Sequence, residues 1–281
     1  MTISLSEAAE TQYVVAGEAR IAYRSFGVAG GVPLVFLHRF RATMDHWDPG
    51  LLDILAAKRR VIVFDNAGVG FSSGRSADSI SGMAASAVAV IEALDLQQID
   101  LLGWSMGGCI AQQIALDHPH RVRRLILASA GPGGVPESPR APEKVWQVAG
   151  KPVNDDEDFL YLFFTESAAS RELGSTSLQR LSRRLTASRA AVALEAVQAQ
   201  VAAISAWAAG KGSAYARLGE IAAPALVANG VHDIMVHAYN SYVLSQRLPN
   251  AQLILYPDAG HGFLFQYPEL FARHVLEFLE A

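Results

Sequence analysis

A glycine-rich segment in the first half of the chain, residues 101–109, reads LLGWSMGGC and contains the pattern G-x-S-x-G. The residues before it are mostly branched and apolar, as in a buried strand, and those after it favour a helix. A serine on such a strand-to-helix turn holds its hydroxyl above the edge of the sheet. Gly103 and Gly107 flank the turn, where a Cβ would collide with neighbouring backbone. The segment therefore predicts that Ser105 is a nucleophile, with an ordinary glycine-rich turn as the alternative.

Composition restricts the classes of protein that need to be considered. The 281 residues are 51% hydrophobic and 18% charged, which favours one large α/β domain, with or without an inserted subdomain. The net charge is −4 and no basic stripe is present, which argues against nucleic-acid binding. A single cysteine, Cys109, rules out an internal disulfide and is expected in the core. The acidic first ten residues and the lack of an 18-residue apolar run predict a cytoplasmic protein with no membrane partner.

Apolar runs and helix-forming runs alternate along most of the chain. We expect a helix that begins with Asp45 as its N-cap, and further helices at residues 79–94, 239–248 and 268–280. Between and around these helices, the pattern predicts a doubly wound, mostly parallel, eight-stranded sheet of the α/β class. The predicted strands are residues 12–15, 19–26, 33–38, 60–64, 99–102, 122–128, 224–229 and 251–256.

The alternation stops after a glycine- and proline-rich stretch near residue 133. No buried strand is evident until residue 224, and the intervening residues have a helical pattern. We therefore predict a core in two parts, residues 1–133 and 219–281, with a helical cap, or lid, at residues 134–218. The alternative is that these helices belong to the main helical layer.

Four motifs together resemble the α/β-hydrolase fold superfamily, in its serine hydrolase branch with a helical cap, which includes esterases and lactonases. They are D-x-x-G-x-G-x-S at residues 65–72, G-W-S-M-G-G at 103–108, G-V-H-D at 230–233 and G-H-G at 260–262. The resemblance covers residues 12–280. Each motif alone is weak, whereas the set is specific.

A serine hydroxyl needs a base within hydrogen-bond reach, and histidine, with an unperturbed pKa of about 6.5, is suited to that role. The superfamily places its catalytic residues in the order serine, acid, histidine. The resemblance therefore implies a triad of Ser105, Asp233 and His261, each on a loop after an apolar run. Asp258 is the rival acid, although its position three residues before the histidine is more typical of a turn.

Two backbone amides are candidates for an oxyanion hole. The N–H of Met106 follows the serine at a helix start, where it is free to bind an anion. The resemblance implies the N–H of Phe40 as the second donor, but Arg39 stands where the family usually has glycine. Arg39 and Arg41 could reach a substrate carbonyl or carboxylate. The interpretation we favour from sequence is that they are solvated or pair with acids such as Asp45.

Further candidates for substrate contact adjoin these positions or lie in the helical segment, and most are apolar. They predict a small to medium apolar pocket. The set consists of His38, Arg39, Trp104, Met235, Val236 and Phe263, with Trp146, Phe159, Phe163 and Trp207 from the helical segment.

The function favoured by the sequence is hydrolysis of a small apolar carboxylic ester or lactone through an acyl-enzyme. This chemistry requires neither a metal nor an organic cofactor. A serine nucleophile argues against dehalogenase and epoxide hydrolase chemistry, in which a carboxylate attacks. Carbon–carbon bond hydrolysis, a cofactor-free perhydrolase or haloperoxidase-like activity, and a small-molecule receptor on a hydrolase scaffold stay open. The sequence does not decide between a monomer and a homodimer.

Overall fold

The computed structural model describes residues 4–281 and contains the predicted eight-stranded sheet. The strand order is β1-β2-β4-β3-β5-β6-β7-β8. Strands β1 and β2 pair antiparallel, as do β2 and β4, and every later pair is parallel. The strands are β1 (Gln12–Ala16), β2 (Ala19–Gly27), β3 (Leu34–Leu37), β4 (Arg60–Phe64), β5 (Ile99–Trp104), β6 (Val122–Ala128), β7 (Ala225–Gly230) and β8 (Ala251–Tyr256).

Helices cover both faces of the sheet, which confirms the doubly wound architecture. One apolar core lies between the sheet and helices α3, α4, α8 and α9, and the other between the sheet and α2, α5–α7, α10 and α11. Strands β3, β5 and β7 are buried along their whole length, as expected for parallel strands covered on both sides. The helices are α1 (Leu5–Ala8), α2 (Pro49–Ala56), α3 (Ile80–Ala93), α4 (Met106–Asp117), α5 (Glu143–Ala149), α6 (Asp156–Phe163), α7 (Ala168–Ala187), α8 (Leu194–Ala208), α9 (Ala238–Arg247), α10 (Phe263–Gln266) and α11 (Pro268–Glu280).

Four of these helices, α5–α8, lie between β6 and β7 in the chain, and we refer to them as the inserted helices. Their attachment to the rest of the fold includes a buried polar contact to α2. Ser177 Oγ donates to Asp48 Oδ2 at 2.6 Å, and Arg180 binds the same carboxylate through Nε and Nη2, both at 2.7 Å. Because one carboxylate accepts from three groups of α7, the register of that helix against α2 is fixed.

The prediction that Asp45 caps a helix is wrong. Residues Met44–His46 form a single 3₁₀ turn that is capped by Thr43. Helix α2 begins later, with Asp48 as its N-cap and Pro49 at the first helical position, which is favourable because proline lacks the N–H that would be unpaired there. Asp45 instead forms a buried ion pair with Arg24. Among residues 4–281, no helix combines the length and apolarity needed to cross a membrane.

Candidate active site

The turn between β5 and α4 has the geometry expected for an exposed nucleophile. Ser105 has φ 57° and ψ −119°, in the left-handed half of the backbone map that side chains rarely adopt. A Cβ added to Gly103 would overlap the backbone of Gly107, and one added to Gly107 would overlap the carbonyl of Leu37 in β3. The predicted steric reason for both glycines is therefore present, and it brings the start of α4 against the end of β3.

Asp233 and His261, on loops after β7 and β8, are in direct contact. His261 Nδ1 lies 2.7 Å from Asp233 Oδ2, and both side chains are buried. The other carboxylate oxygen, Oδ1, accepts the N–H groups of Met235 and Val236 at 2.8 and 2.9 Å. These two hydrogen bonds fix the orientation of the carboxylate, with Oδ2 directed at the imidazole. A proton on Nδ1 shared with Asp233 leaves His261 Nε2 as the lone-pair nitrogen.

His261 Nε2 is buried and has no hydrogen-bond partner within residues 4–281. Buried polar atoms without a partner are uncommon, and they are often found at functional positions. The unpaired atom is the one that a general base must present to a serine or to water.

The rival acid, Asp258, points elsewhere. Its carboxylate accepts Thr165 Oγ1 at 2.7 Å and Ser167 Oγ at 2.6 Å, at the N-terminus of α7. These two hydroxyls lower the pKa of Asp258. The geometry therefore joins Asp233, and not Asp258, to the imidazole.

The backbone of His261 is held by side chains that the sequence analysis did not single out for this purpose. Trp104 Nε1 donates to the His261 carbonyl oxygen at 3.0 Å. Ser129 Oγ lies 3.2 Å from the same carbonyl and 2.8 Å from Asn229 Oδ1. Ser129 and Asn229 are buried polar residues at the ends of β6 and β7. The signal available in the sequence was a polar residue at the end of each of two apolar runs.

Phe163, at the end of α6, covers the histidine loop. Its ring centroid is 5.8 Å from the imidazole of His261 and 5.6 Å from the ring of Trp104. Its carbonyl accepts the N–H of Gly262 at 2.7 Å. The inserted helices therefore contact the loop that carries His261 through both the side chain and the backbone of one residue.

Within the part of the chain that the structure describes, neither candidate oxyanion donor has a protein acceptor. The Phe40 N–H takes part in no hydrogen bond among the described residues. The Met106 N–H stands at the first position of α4, where no carbonyl of the same helix can accept it. Arg39 has a negative φ, so this loop does not need glycine there; the left-handed residue is Arg41, with φ 53°.

Neither of the two arginines after β3 pairs with Asp45, contrary to the sequence-based interpretation. Asp45 is bound by Arg24 and by Arg184. Arg41 instead donates through its guanidinium to the carbonyls of Ala149, Lys151 and Pro152, at 2.6, 2.7 and 3.0 Å. Its backbone N–H donates to Gln200 Oε1 of α8 at 2.9 Å. Arg41 thus ties the loop after β3 to the inserted helices.

Arg39 is only partly exposed, and its side chain turns toward the aromatic groups around His261. Its guanidinium carbon is 4.7 Å from the ring centroid of Phe163 and 5.4 Å from that of Trp104. Burial and the nearby Arg41 lower the pKa of Arg39 to about 9. The side chain therefore keeps its positive charge at neutral pH.

Burial also shifts the pKa values of three groups close to this loop. It lowers the pKa of His38 to about 4 and that of His46 to about 3, with the charge of Arg39 acting in the same direction. It raises the pKa of Asp65 to about 6, although the N–H groups of Met44 and Phe71 bind that carboxylate. Asp65 thus braces its own glycine turn and the loop after β3.

The remaining predicted contact residues lie at different depths. Met235 and Val236 are partly exposed beside Asp233, and Phe159 is partly exposed with its ring 4.7 Å from that of Phe163. Phe263 is fully buried and stacks on Tyr256, which makes it part of the core.

The other two tryptophans named as candidates for substrate contact lie apart from the rings around His261. Trp207 is buried in the core around α4 and donates through Nε1 to the carbonyl of Gly131 at 3.1 Å. Trp146 is 48% exposed. Cys109 is buried, as predicted, and burial raises the pKa of its thiol to about 12.

Residues 32–268 match the alpha/beta hydrolase fold family. The chain therefore belongs to the α/β-hydrolase fold family, and it is a hydrolase of that fold. This confirms the superfamily inferred from the four motifs.

Individual relatives span almost the whole chain. An alpha/beta hydrolase fold protein from Chitinophaga pinensis is 38% identical, with a TM-score of 0.90 over 99% of this chain and all of its own. The pimeloyl-[acyl-carrier protein] methyl ester esterase of Yersinia enterocolitica is 30% identical over 89% of this chain and 94% of its own. A 2-hydroxy-6-oxononadienedioate/2-hydroxy-6-oxononatrienedioate hydrolase of Pseudomonas putida is 30% identical over both whole chains.

Proposed function

We propose that this hydrolase cleaves carboxylic esters or lactones through an acyl-enzyme, with Ser105 as nucleophile, His261 as base and Asp233 as the acid that orients it. The observation that carries the proposal is the buried contact between Asp233 and His261 Nδ1, with Nε2 left unpaired. Ser105 on its left-handed turn supplies the hydroxyl that such a base activates.

The reaction divides into two proton-balanced halves. In the first, Ser105 Oγ attacks the carbonyl carbon while His261 Nε2 takes its proton, and the N–H groups of Met106 and Phe40 bind the oxyanion. Collapse of the tetrahedral intermediate expels the alcohol, which takes the proton from His261. In the second half, His261 removes a proton from water, hydroxide adds to the acyl carbon, and the released serine takes that proton back.

We further propose that residues 134–218 act as a cap over this site. Two contacts support the assignment: Phe163 packs against His261, and Arg41 binds the end of α5 and the segment after it. The cap would then exclude water from the acyl-enzyme and select substrates, as closing elements do in many enzymes.

Carbon–carbon bond hydrolysis is the second candidate, because the Pseudomonas putida relative named above aligns over both whole chains. Its name describes a hydrolase of an oxo-dienedioate. The two candidates use the same serine, histidine and aspartate, and they differ in whether the leaving group is an alkoxide or a carbon anion.

The proposal is tested with 4-nitrophenyl esters, simple lactones and a 1,3-diketone assayed against the wild type, Ser105→Ala and Ser182→Ala, an exposed serine of α7. Loss of Ser105 is expected to lower kcat on the order of 10⁶-fold, because a triad acts as a unit. Ser182→Ala is expected to match the wild type. Retained ester turnover in Ser105→Ala would sink the mechanism, and turnover of the diketone alone would favour the second candidate.

A further inference from the structure

Arg39 and His261 share the same two aromatic neighbours. Trp104 and Phe163 each have their ring centroid 5.8 Å from the imidazole of His261. The guanidinium of Arg39 lies against these same two rings. Its Nη1 donates to the carbonyl of Phe40 at 2.8 Å, so the charge also adjoins the residue whose N–H we assign to the oxyanion. A cation is thus built into the surroundings of the proposed reaction centre.

This cation has no acidic partner among residues 4–281. Over that range Arg39 forms no ion pair, and its Nε is buried without an acceptor. The two aspartates that follow the loop are each bound by another arginine: Asp45 by Arg24 and Asp48 by Arg180. Besides burial, the pKa of Arg39 is lowered by the nearby charge of Arg41, which is also positive.

A positive group withdrawn from water without a counter-ion costs free energy, and binding an anion recovers it. The planar guanidinium has a fork of donors that matches a carboxylate in a bidentate arrangement. Contact with the two aromatic rings restricts the orientation of the fork, whose Nη1 donates to Phe40 and whose Nε has no acceptor among residues 4–281. A carboxylate that reached the side of the fork carrying Nε would supply the missing acceptor.

We propose that Arg39 binds a free carboxylate of the substrate, so that the preferred substrates are esters or lactones that also carry a carboxylic acid, such as half-esters of dicarboxylic acids. The proposal rests on the hydrolase function proposed above and adds a substrate class to it. It replaces the purely apolar pocket expected from the sequence with one that has a single cationic contact.

The decisive experiment compares substrates that differ only in charge. Monoethyl adipate and the ethyl ester of adipic acid monoamide place a carboxylate or a carboxamide at the end of the acyl chain. The compounds 4-butyryloxybutanoate and 4-butyryloxybutanamide do the same on the alcohol side. We expect kcat/KM for the acid to exceed that for its amide by about 10- to 100-fold in at least one pair, the range of a charge-assisted hydrogen bond. The pair that shows the preference identifies the side of the ester that Arg39 contacts.

Variants assign the preference to this arginine. Arg39→Gln is expected to bring the acid-to-amide ratio close to one, and Arg39→Lys to keep part of it, because lysine retains the charge but not the fork. A general loss of activity lowers kcat/KM for the acid and for the amide alike, so it cancels in their ratio. Arg124→Gln is the matched control, since Arg124 also stacks on a ring, that of Phe278, and also has a buried unpaired Nε. It belongs to β6 rather than to the loop after β3, and its substitution is expected to preserve the ratio.

Inhibition of 4-nitrophenyl butyrate turnover by adipate and by adipamide gives a reading that does not require the half-esters to be turned over. Stronger inhibition by adipate, lost in Arg39→Gln, supports the proposal. Equal treatment of acids and amides by the wild type, or a preference that survives in Arg39→Gln, overturns it. Either result leaves the proposed function standing if the neutral esters are hydrolysed in a Ser105-dependent manner.

Discussion

Two loops contribute to the proposed active site, and they are held in place in different ways. The serine turn, residues 103–108, is shaped by glycines whose Cβ atoms would overlap backbone only a few residues away or across one strand pair. The β3 loop, residues 38–43, is held by contacts more than a hundred residues distant, from Arg41 to Ala149 and Gln200. The two regions meet where Gly107 packs on the carbonyl of Leu37.

The difference separates what the two loops contribute. The geometry of the serine turn follows from close contacts within the protein's own backbone, which do not depend on the substrate. The β3 loop carries side chains whose surroundings depend on how the inserted helices dock. We therefore infer that the serine turn contributes to the chemistry alone, whereas the β3 loop also contributes to the choice of substrate. The predictions below test a proposed catalytic residue first and the β3 loop afterwards.

Of these predictions, the largest effect is expected for Asp233, the proposed acid. Asp233→Asn removes the charge that orients His261 and stabilises its protonated form, and we expect kcat to fall about 10⁴-fold, as in a serine protease triad. The measurement is kcat for a 4-nitrophenyl ester at neutral pH. Asp258→Asn is the matched control on the loop after β8, because its carboxylate binds Thr165 and Ser167 and not the imidazole.

A reversal of these two results would contradict the assignment. If Asp258→Asn lost activity while Asp233→Asn kept it, the acid would have to reach His261 through a rearranged loop. Circular dichroism and thermal unfolding of both variants would show whether a loss of activity reflects chemistry or loss of the fold.

A smaller effect is expected at the junction of the β3 loop with the inserted helices. Arg41→Met removes three charge-assisted hydrogen bonds, one to the last residue of α5 and two to the segment after it, while keeping a long side chain. We expect hydrogen exchange at residues 143–152 to accelerate about 10- to 100-fold, because a hydrogen bond to a charged group contributes roughly 1.5–3 kcal/mol. Exchange in α4, on the catalytic side, should stay as in the wild type.

Arg41→Lys provides the control for charge alone, since one ammonium cannot reach three carbonyls with the geometry of a guanidinium. Acceleration that spreads equally through α4 would mean that the two loops open as one unit, which would end the division drawn above.

The same division separates the features that the sequence could predict from those that it could not. Local patterns gave all eight strands, the glycines of the serine turn and a helical segment between β6 and β7, because each of these depends on a short run of residues. The family resemblance led to the contact between Asp233 and His261, which the structure contains. The catalytic roles of these residues stay predictions.

The features that the sequence did not predict correctly are contacts that depend on tertiary packing. Asp45 was expected to cap a helix or to form an ion pair with an arginine after β3, whereas it pairs with Arg24 of β2. No spacing rule connects residues 24 and 45, and Asp48 offers an equally good cap three positions later. The contacts of Ser129 with Asn229 and His261 likewise join three separate strand ends, and they appear only when the sheet is assembled.

The smallest expected effect is a pH dependence of stability that belongs to the β3 loop. His38 is fully buried and its pKa is lowered to about 4, so between that value and the unfolded pKa of 6.5 the unfolded chain binds a proton that the native state does not. Its contribution is thus present above pH 6.5 and is lost as the pH falls, by about 1 kcal/mol between pH 7 and 5.5.

Asp65, with its pKa raised to about 6, acts in the opposite sense over an overlapping range, since its native state gains a proton first. Urea unfolding of the wild type alone would therefore mix the two signs, together with that of His46. The difference between the wild-type and His38→Asn profiles cancels the groups common to both proteins. Parallel profiles would show that His38 charges freely in the native state, and that the loop beside Arg39 is open to water.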